Sequence, residues 1–198
     1  MIKNLFKIVI FISILFLLFL GYFAYFGFTT SKFNSIIKEQ VKKQDSNLDI
    51  DLEKIKLHLD IRNLSIKIKT KNPRVIINNS DNIELEEISS NIMITSYFQN
   101  KFIVKNLTIV SKKNEISSYI NFYRNINSSI QLILLNQFVK SGMAEVKVDL
   151  NFEDSGKIKN NYKFKGKISN AELSIPNNKN IKELNFNFYT EGNDYVLK

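Results

Sequence analysis

The sequence predicts a mainly β protein: an N-terminal transmembrane helix followed by an antiparallel sheet, with one or two short amphipathic helices. Three observations carry this. The run from Ile8 to Phe28 contains no charged residue. From Leu48 onward, apolar and polar residues alternate with the two-residue period of a strand that buries one face. Two segments, Ser31 to Gln44 and Asn125 to Ser141, leave that period and read at helical spacing.

The apolar run comes first. At 1.5 Å per residue it spans about 30 Å as a helix, the hydrocarbon thickness of a bilayer. Lys3 and Lys7 precede it, as they would in a signal peptide. The run is longer than a signal core, however, and Gly27-Phe28-Thr29-Thr30-Ser31 offers no small-x-small cleavage site, so an uncleaved anchor is the better reading. Tyr22, Phe23, Tyr25, Phe26 and Phe28 crowd its far end, where aromatic rings favour the membrane interface. Lys32, Lys38, Lys42 and Lys43 outnumber the lysines before the run, which alone would keep the domain cytoplasmic. Long domains cross largely regardless of such charges, so the charge rule leaves the side open. Residues 1–30 form the anchor, and residues 31–198 the β domain.

Ser31 can cap a helix to about Gln44, with Phe33, Ile36, Ile37 and Val41 on one face. Such a helix closes the end of the following sheet or lies on a membrane surface. Leu48, Ile50 and Leu52 then alternate with acids, and Ile55, Leu57, Leu59 and Ile61 alternate on the other parity. The slip at Glu53-Lys54 calls for a bulge or tight turn. Leu64, Ile66 and Ile68 continue to Lys71-Asn72-Pro73, and Val75 to Ile77 make a short strand ending in Asn78-Asn79-Ser80-Asp81-Asn82. Ile83, Leu85, Ile88, Ile92 and Ile94 form the next run, up to Gln99-Asn100. Ile103 to Val110 and Ile116 to Phe122 read as two further strands. In the second helical segment Ile126, Ile130, Ile133, Leu134, Phe138 and Val139 form a stripe, Asn127 or Ser128 can cap it, and Gly142 suits a left-handed stop. Leu132 and Leu135 widen the stripe, so this helix packs on an apolar surface. Alternation returns at Val146, Val148, Leu150 and Phe152, up to Glu153-Asp154-Ser155-Gly156. It resumes at Ile158, Tyr162, Phe164 and Ile168, then at Leu173 and Ile175 before Pro176-Asn177-Asn178. The last run is Leu184, Phe186 and Phe188, before Glu191-Gly192-Asn193. Short polar turns between strands imply an antiparallel meander. Its apolar faces either meet a second sheet in a closed sandwich or, in a curled open sheet, line a groove. Ile61-Arg62-Asn63-Leu64-Ser65-Ile66 is echoed in residue type by Val104-Lys105-Asn106-Leu107-Thr108-Ile109, which hints at a repeated strand pair.

Composition argues against chemistry. The net charge of +9 is spread along the chain without a basic cluster interleaved with aromatics, so nucleic acid is not an expected partner. Abundant Ile, Asn and Lys reflect AT-rich coding. There is no cysteine, which removes disulfides, thiolate nucleophiles and Cys-bound metal. The single histidine, His58, lies on the polar phase of its strand and reads as a solvated side chain rather than a zinc ligand. Glu84, Glu86 and Glu87, and likewise Asp149, Glu153 and Asp154, could offer a carboxylate pair or calcium ligands. Neither has the spacing of a calcium loop, and both read as solvated faces. No glycine-rich phosphate loop and no Gly-x-Ser-x-Gly elbow occur. No cofactor, no metal and no enzymatic activity are expected.

The order of anchor, amphipathic helix and strands containing Asn63-Leu64-Ser65-Ile66 and Asn106-Leu107-Thr108-Ile109 resembles the start of the AsmA-like proteins of bacterial envelopes. These are relatives of the chorein-type bridge-like lipid transfer proteins. Gly156-Lys157-Ile158 with Lys165-Gly166-Lys167-Ile168-Ser169-Asn170-Ala171-Glu172-Leu173 is similar to a recurring strand pair of that family. The glycine that members often carry before the first strand is replaced by Asp45-Ser46-Asn47. The resemblance implies a single-pass protein of the bacterial inner membrane with its β domain in the periplasm. It also implies a curled, U-shaped antiparallel sheet whose apolar groove takes phospholipid acyl chains. The groove-lining candidates are Leu57, Leu59, Leu64, Ile66, Leu107, Ile109, Val148, Leu150, Phe164 and Phe186. The implied role is non-enzymatic: lipid binding, lipid transfer or outer-membrane biogenesis. About ten strands would give a groove on the order of 50 Å long, too short to cross an envelope. The chain ends inside what reads as another strand. It is therefore a truncated reading frame or a short member that joins another β-groove protein edge to edge. The alternative is an anchored β-sandwich scaffold that binds another envelope protein.

Overall fold

The computed structural model describes residues 2–44, 46–77, 81–94, 104–126, 129–153, 155, 157–175, 179–191 and 194–197. The expected caps Asn127 and Ser128, the strand start at Ile103, the break at Gln99-Asn100, and turn residues Asn78-Asn79-Ser80, Asp154, Gly156, Pro176-Asn177-Asn178 and Gly192-Asn193 lie outside them.

The apolar segment forms helix α1 (Ile2–Tyr25), long and apolar enough to cross a membrane. It stops earlier than the uncharged run does. Gly27, at φ +73, redirects the chain so closely past the sheet that a Cβ there would lie 2.6 Å from the Leu57 carbonyl oxygen. Phe28, the last residue of the run, opens strand β1 (Phe28–Thr30) rather than continuing the helix. After it, α2 (Asn34–Gln44) turns Ile37 and Val41 inward. Lys38 and Lys42, one helical turn apart, both reach Asp49 at 3.1 and 3.3 Å. Partial burial raises the Asp49 pKa, but Lys38, the Ile50 amide and Lys42 outweigh it and hold the carboxyl below its ordinary value.

The strands are β2 (Leu48–Asp51), β3 (Ile55–Asp60), β4 (Ser65–Lys71), β5 (Arg74–Ile77), β6 (Asp81–Met93), β7 (Val104–Ser111), β8 (Asn114–Glu115), β9 (Val139–Asn151), β10 (Lys163–Ile175), β11 (Lys179–Glu191) and β12 (Asp194–Leu197). The main path runs β1-β3-β4-β6-β7-β9-β10-β11-β12, with antiparallel pairing throughout. The slip at Glu53-Lys54 is a turn between two strands that never pair: β3 joins the main path, and β2 pairs with β5. β6 serves both groups. Its start pairs with β5, its end with β4 and β7, and the shift between Leu85 and Glu87 moves the apolar phase from Ile83 and Leu85 to Ile88 and Ile92.

Several expectations are corrected. Residues 116–122 are not a strand: α3 (Ile116–Ile126) lays Ile116 and Tyr119 on the sheet, and α4 (Ile130–Phe138) follows. Ile116, Tyr119, Ile120 and Tyr123 make a helical stripe that alternation had obscured. The cap of α4 is Ser129, whose hydroxyl accepts from the Leu132 amide. Gly142 does not end a helix. It lies inside β9 at φ +136, where a Cβ would come within 2.7 Å of Ile116 Cδ1 and 2.8 Å of Ala171 Cα. The sequence echo is not a structural repeat, because residues 61–64 form a turn and residues 104–109 lie within β7. Finally, the sheet is open and uncurled where a U-shaped groove was implied, and β1 and β12 are the ends of its path.

The buried core gathers at one end of the strands. Ile50, Leu52 and Ile55 pack with Ile37 and Val41 of α2, while Ala144, Ile168 and Ala171 pack under Ile116 and Tyr119 of α3. This end lies away from α1, because Phe28 pairs with Leu57 and Thr30 with Ile55.

Candidate functional site

In a sheet, directly paired residues point to the same side, so the register identifies the two faces. One row runs Thr30, Ile55, Thr70, Ile88, Ile109, Val148, Phe164 and Thr190. The next, nearer α1, runs Phe28, Leu57, Ile68, Ser90, Leu107 and Leu150. Beyond it lie Leu59, Ile66 and Ile92. On the other side of the first row, Val146, Gly166, Phe188 and Leu197 form a row, followed by Ala144, Ile168 and Phe186.

All the groove candidates except Leu64 therefore share one face. Leu57, Leu59, Ile66, Leu107, Ile109, Val148, Leu150, Phe164 and Phe186 are each half-buried. Leu64 departs for a local reason. It sits in the β3–β4 turn at φ 45, which diverts its side chain from the strand's phase and leaves it 57% exposed. Phe188, part of the last alternating run but not among the groove candidates, shares this face and folds its ring over Gly166. A Cβ on that glycine would stand 2.1 Å from the ring's Cζ. With Phe164 and Phe186, at centroid distances of 5.5 and 6.4 Å, Phe188 makes an aromatic cluster around the Gly166 gap. A glycine flanked by aromatics on neighbouring strands was the available signal.

Helices cover only the far end of this face. Tyr119 anchors α3 there: its hydroxyl donates to Ser111 Oγ at 2.6 Å and accepts from Asn114 Nδ2 at 3.1 Å, and the Val146 amide donates to the same Ser111 oxygen at 2.7 Å. Burial pushes the Tyr119 pKa up, against the pull of these hydrogen bonds. Toward α1, Leu57 and Ile68 still pack against the first cluster, while Leu59, Ile66, Ile92, Leu107 and Leu150 lie outside both. Among the described residues, all strands belong to this one branched sheet, and no second sheet closes a sandwich over them.

The opposite face is polar. His58 lies there opposite Lys67, its pKa lowered first by desolvation and then by Lys56, Lys67 and Lys69. Three members of the two acidic groups are engaged in pairs: Glu84 with Lys112, Glu87 with Lys69, and Asp149 with Lys147 and Thr108. A recess of about 520 Å³ is lined from this side by Lys147, Lys165 and Tyr189 in one cross-strand row and by Glu145, Lys167 and Asn187 in the next. It brings together lysine stems and two signs of charge without a paired nucleophile and base. Among the described residues, no group of three or more His, Asp or Glu side chains could hold a metal ion.

Comparison with known proteins gives no match to any family model, curated protein or solved structure.

Proposed function

We propose that this protein is a membrane-anchored, non-enzymatic lipid-binding module that holds phospholipid acyl chains against the open apolar face of its sheet. The observation that carries this reading is the set of half-buried apolar side chains Leu59, Ile66, Ile92, Leu107 and Leu150, which share one face and lie outside both helix-capped clusters. Apolar surface of this extent is unfavourable in water and is relieved by an apolar ligand. The row through Leu107 crosses six strands, from β1 to β9, which at about 4.8 Å spacing make a strip about 24 Å across. One leaflet's acyl chains reach about 15 Å, half of a bilayer's hydrocarbon thickness. The face is thus wide enough for several chains side by side, and lipid could move across it from strand to strand. Together with the anchor and the residues that resemble the AsmA-like family, this favours a place in a bacterial inner membrane with the sheet in the periplasm. Among the described residues no second sheet faces these strands, which disfavours the closed-sandwich scaffold.

The test is site-specific photo-crosslinking in the full chain. A benzophenone side chain at Leu107 or Phe164 is expected to yield adducts of phospholipid mass, and one at Lys165 on the polar face is not. Leu107→Asp should reduce adduct formation from Phe164 several-fold. Equal labelling of the two faces would overturn the proposal.

A further inference from the structure

From the register and the exposed side chains at one rim, we infer that the sheet docks onto the bilayer through two loop tips, the β3–β4 turn and the β9–β10 connection, level with the end of α1. Three aliphatic side chains on these tips belong to neither buried cluster: Ile61 at 56%, Leu64 at 57% and Ile158 at 52% exposure. Both tips are held in place. Asp60 accepts from the Asn63 amide at 3.1 Å and from Asn63 Nδ2 at 2.8 Å, and the Ile94 amide donates to the Leu64 carbonyl at 2.9 Å. In the other tip, Phe152 bridges Ile158, and the Glu153 and Lys159 amides donate to Lys157 and Asn151 carbonyls at 2.8 Å. Aliphatic side chains fixed outward in this way have lost the option of folding back onto the protein.

Their level follows from the pairing. Phe28 faces Leu57, and β3 continues to Asp60, about 10 Å further at roughly 3.3 Å per residue. Gly27, two residues past the end of α1, lies beside Leu57 and His58, and α1 contacts β3, so the helix's last turn and the β3–β4 turn lie at the same end of the strand. α1 touches β3, and Leu20, Phe23 and Ala24 are half-buried near its end while Tyr22, Tyr25 and Phe26 stay exposed. Aromatic residues at the end of a spanning helix mark the interface. The β9–β10 tip reaches the same rim, since Leu150 is level with Leu57 and the connection extends beyond Asn151. The occupant of these side chains is accordingly the bilayer that holds α1. Docking there places the apolar side chains outside both clusters between the two tips, against the lipid. This inference rests on α1 as a membrane span, not on lipid occupying the sheet.

The chain has no cysteine, so single labels are unambiguous. Full-length Ile61→Cys, Leu64→Cys and Ile158→Cys variants carrying an environment-sensitive fluorophore would be reconstituted into phosphatidylethanolamine–phosphatidylglycerol vesicles containing nitroxide lipid. Lys71→Cys, at the opposite end of β4, reports on the aqueous rim, and Ser13→Cys reports on the span. The three tip labels are expected to shift to the blue and to be quenched several-fold more than the label at 71. Tip labels that match 71 while 13 is quenched would overturn the docking alone. An unquenched label at 13 would overturn the span and the docking with it.

Discussion

Ile55 and Leu107 project from the same face of the same sheet in adjacent rows, yet Ile55 is 1% exposed and Leu107 only half-buried. Alternation gives them equal standing. The difference is what lies above them: Ile37 and Val41 of α2 join the cluster around Ile55, and Leu107 belongs to neither helix's cluster. In this fold the strand pattern decides which side chains share a face, and the helices between strands decide which part becomes core. The end away from α1 holds both buried clusters, although α4 there buries none of its residues. The end next to α1 leaves the sheet's own apolar side chains outside them.

The largest expected effect follows from that contrast. Ile55→Ala should cost about 2–5 kcal/mol, the range for truncating a fully buried aliphatic residue. Leu107→Ala should cost about 1 kcal/mol, because less of its surface leaves water on folding. Urea unfolding followed by far-UV circular dichroism compares the two in one detergent. Equal losses would mean that the face near α1 is also packed, and the contrast would fail.

Two glycines sharpen the comparison with a smaller effect. Gly142→Ala forces a Cβ between Ile116 of α3 and Ala171 of β10 and requires a residue with a side chain at φ +136. The expected cost is about 1–3 kcal/mol, with loosening of α3. Gly166→Ala meets the Phe188 ring first, a side chain that can swing on its own bonds. The loss should be about 1 kcal/mol, the scale of the aromatic contacts given up. Thermal unfolding gives the ranking, and hydrogen exchange in residues 116–126 should rise in the first variant alone.

The shared face was legible because cross-strand partners in a meander inherit one phase, and short polar turns keep successive strands adjacent. This is why Leu57, Leu107, Val148 and Phe164, far apart in sequence, align. Misreadings arose where two periods coincide or where distant contacts decide. Ile116, Ile120 and Phe122 fit alternation, and only a docking surface of small residues, with Gly142, Ala144 and Ala171 side by side on β9 and β10, makes the segment a helix. That cluster of small residues was a usable signal. Phe28 was hidden inside the apolar run, since nothing local separates an aromatic at the end of a span from one in an edge strand. Leu64 kept the parity of its strand but fell in a turn with positive φ, a detail set by Asp60 and Asn63. The lack of curl is a property of the whole sheet, beyond the reach of any strand's pattern.

The smallest expected effect concerns pH at the join between anchor and sheet. His58 stands against Gly27, with Lys67 directly across from it and Lys56 and Lys69 nearby. Desolvation and these charges lower its pKa, so the folded state binds fewer protons than the unfolded chain as pH falls through the ordinary histidine range. The neutral ring's contribution is fully present above pH 6.5, the unfolded value, and is lost as the pH drops toward the lowered folded value. Exchange of the β1 amides, which sit between α1 and β3, should therefore speed up between pH 7 and 5 beyond its intrinsic pH dependence. His58→Gln should remove that excess. The buried core around Ala144 lies at the other end of the face from this titration, so its amides should show none of it. An equal response there would mean that the two ends of the sheet open as one unit, and the division between the clustered end and the end next to α1 would not hold.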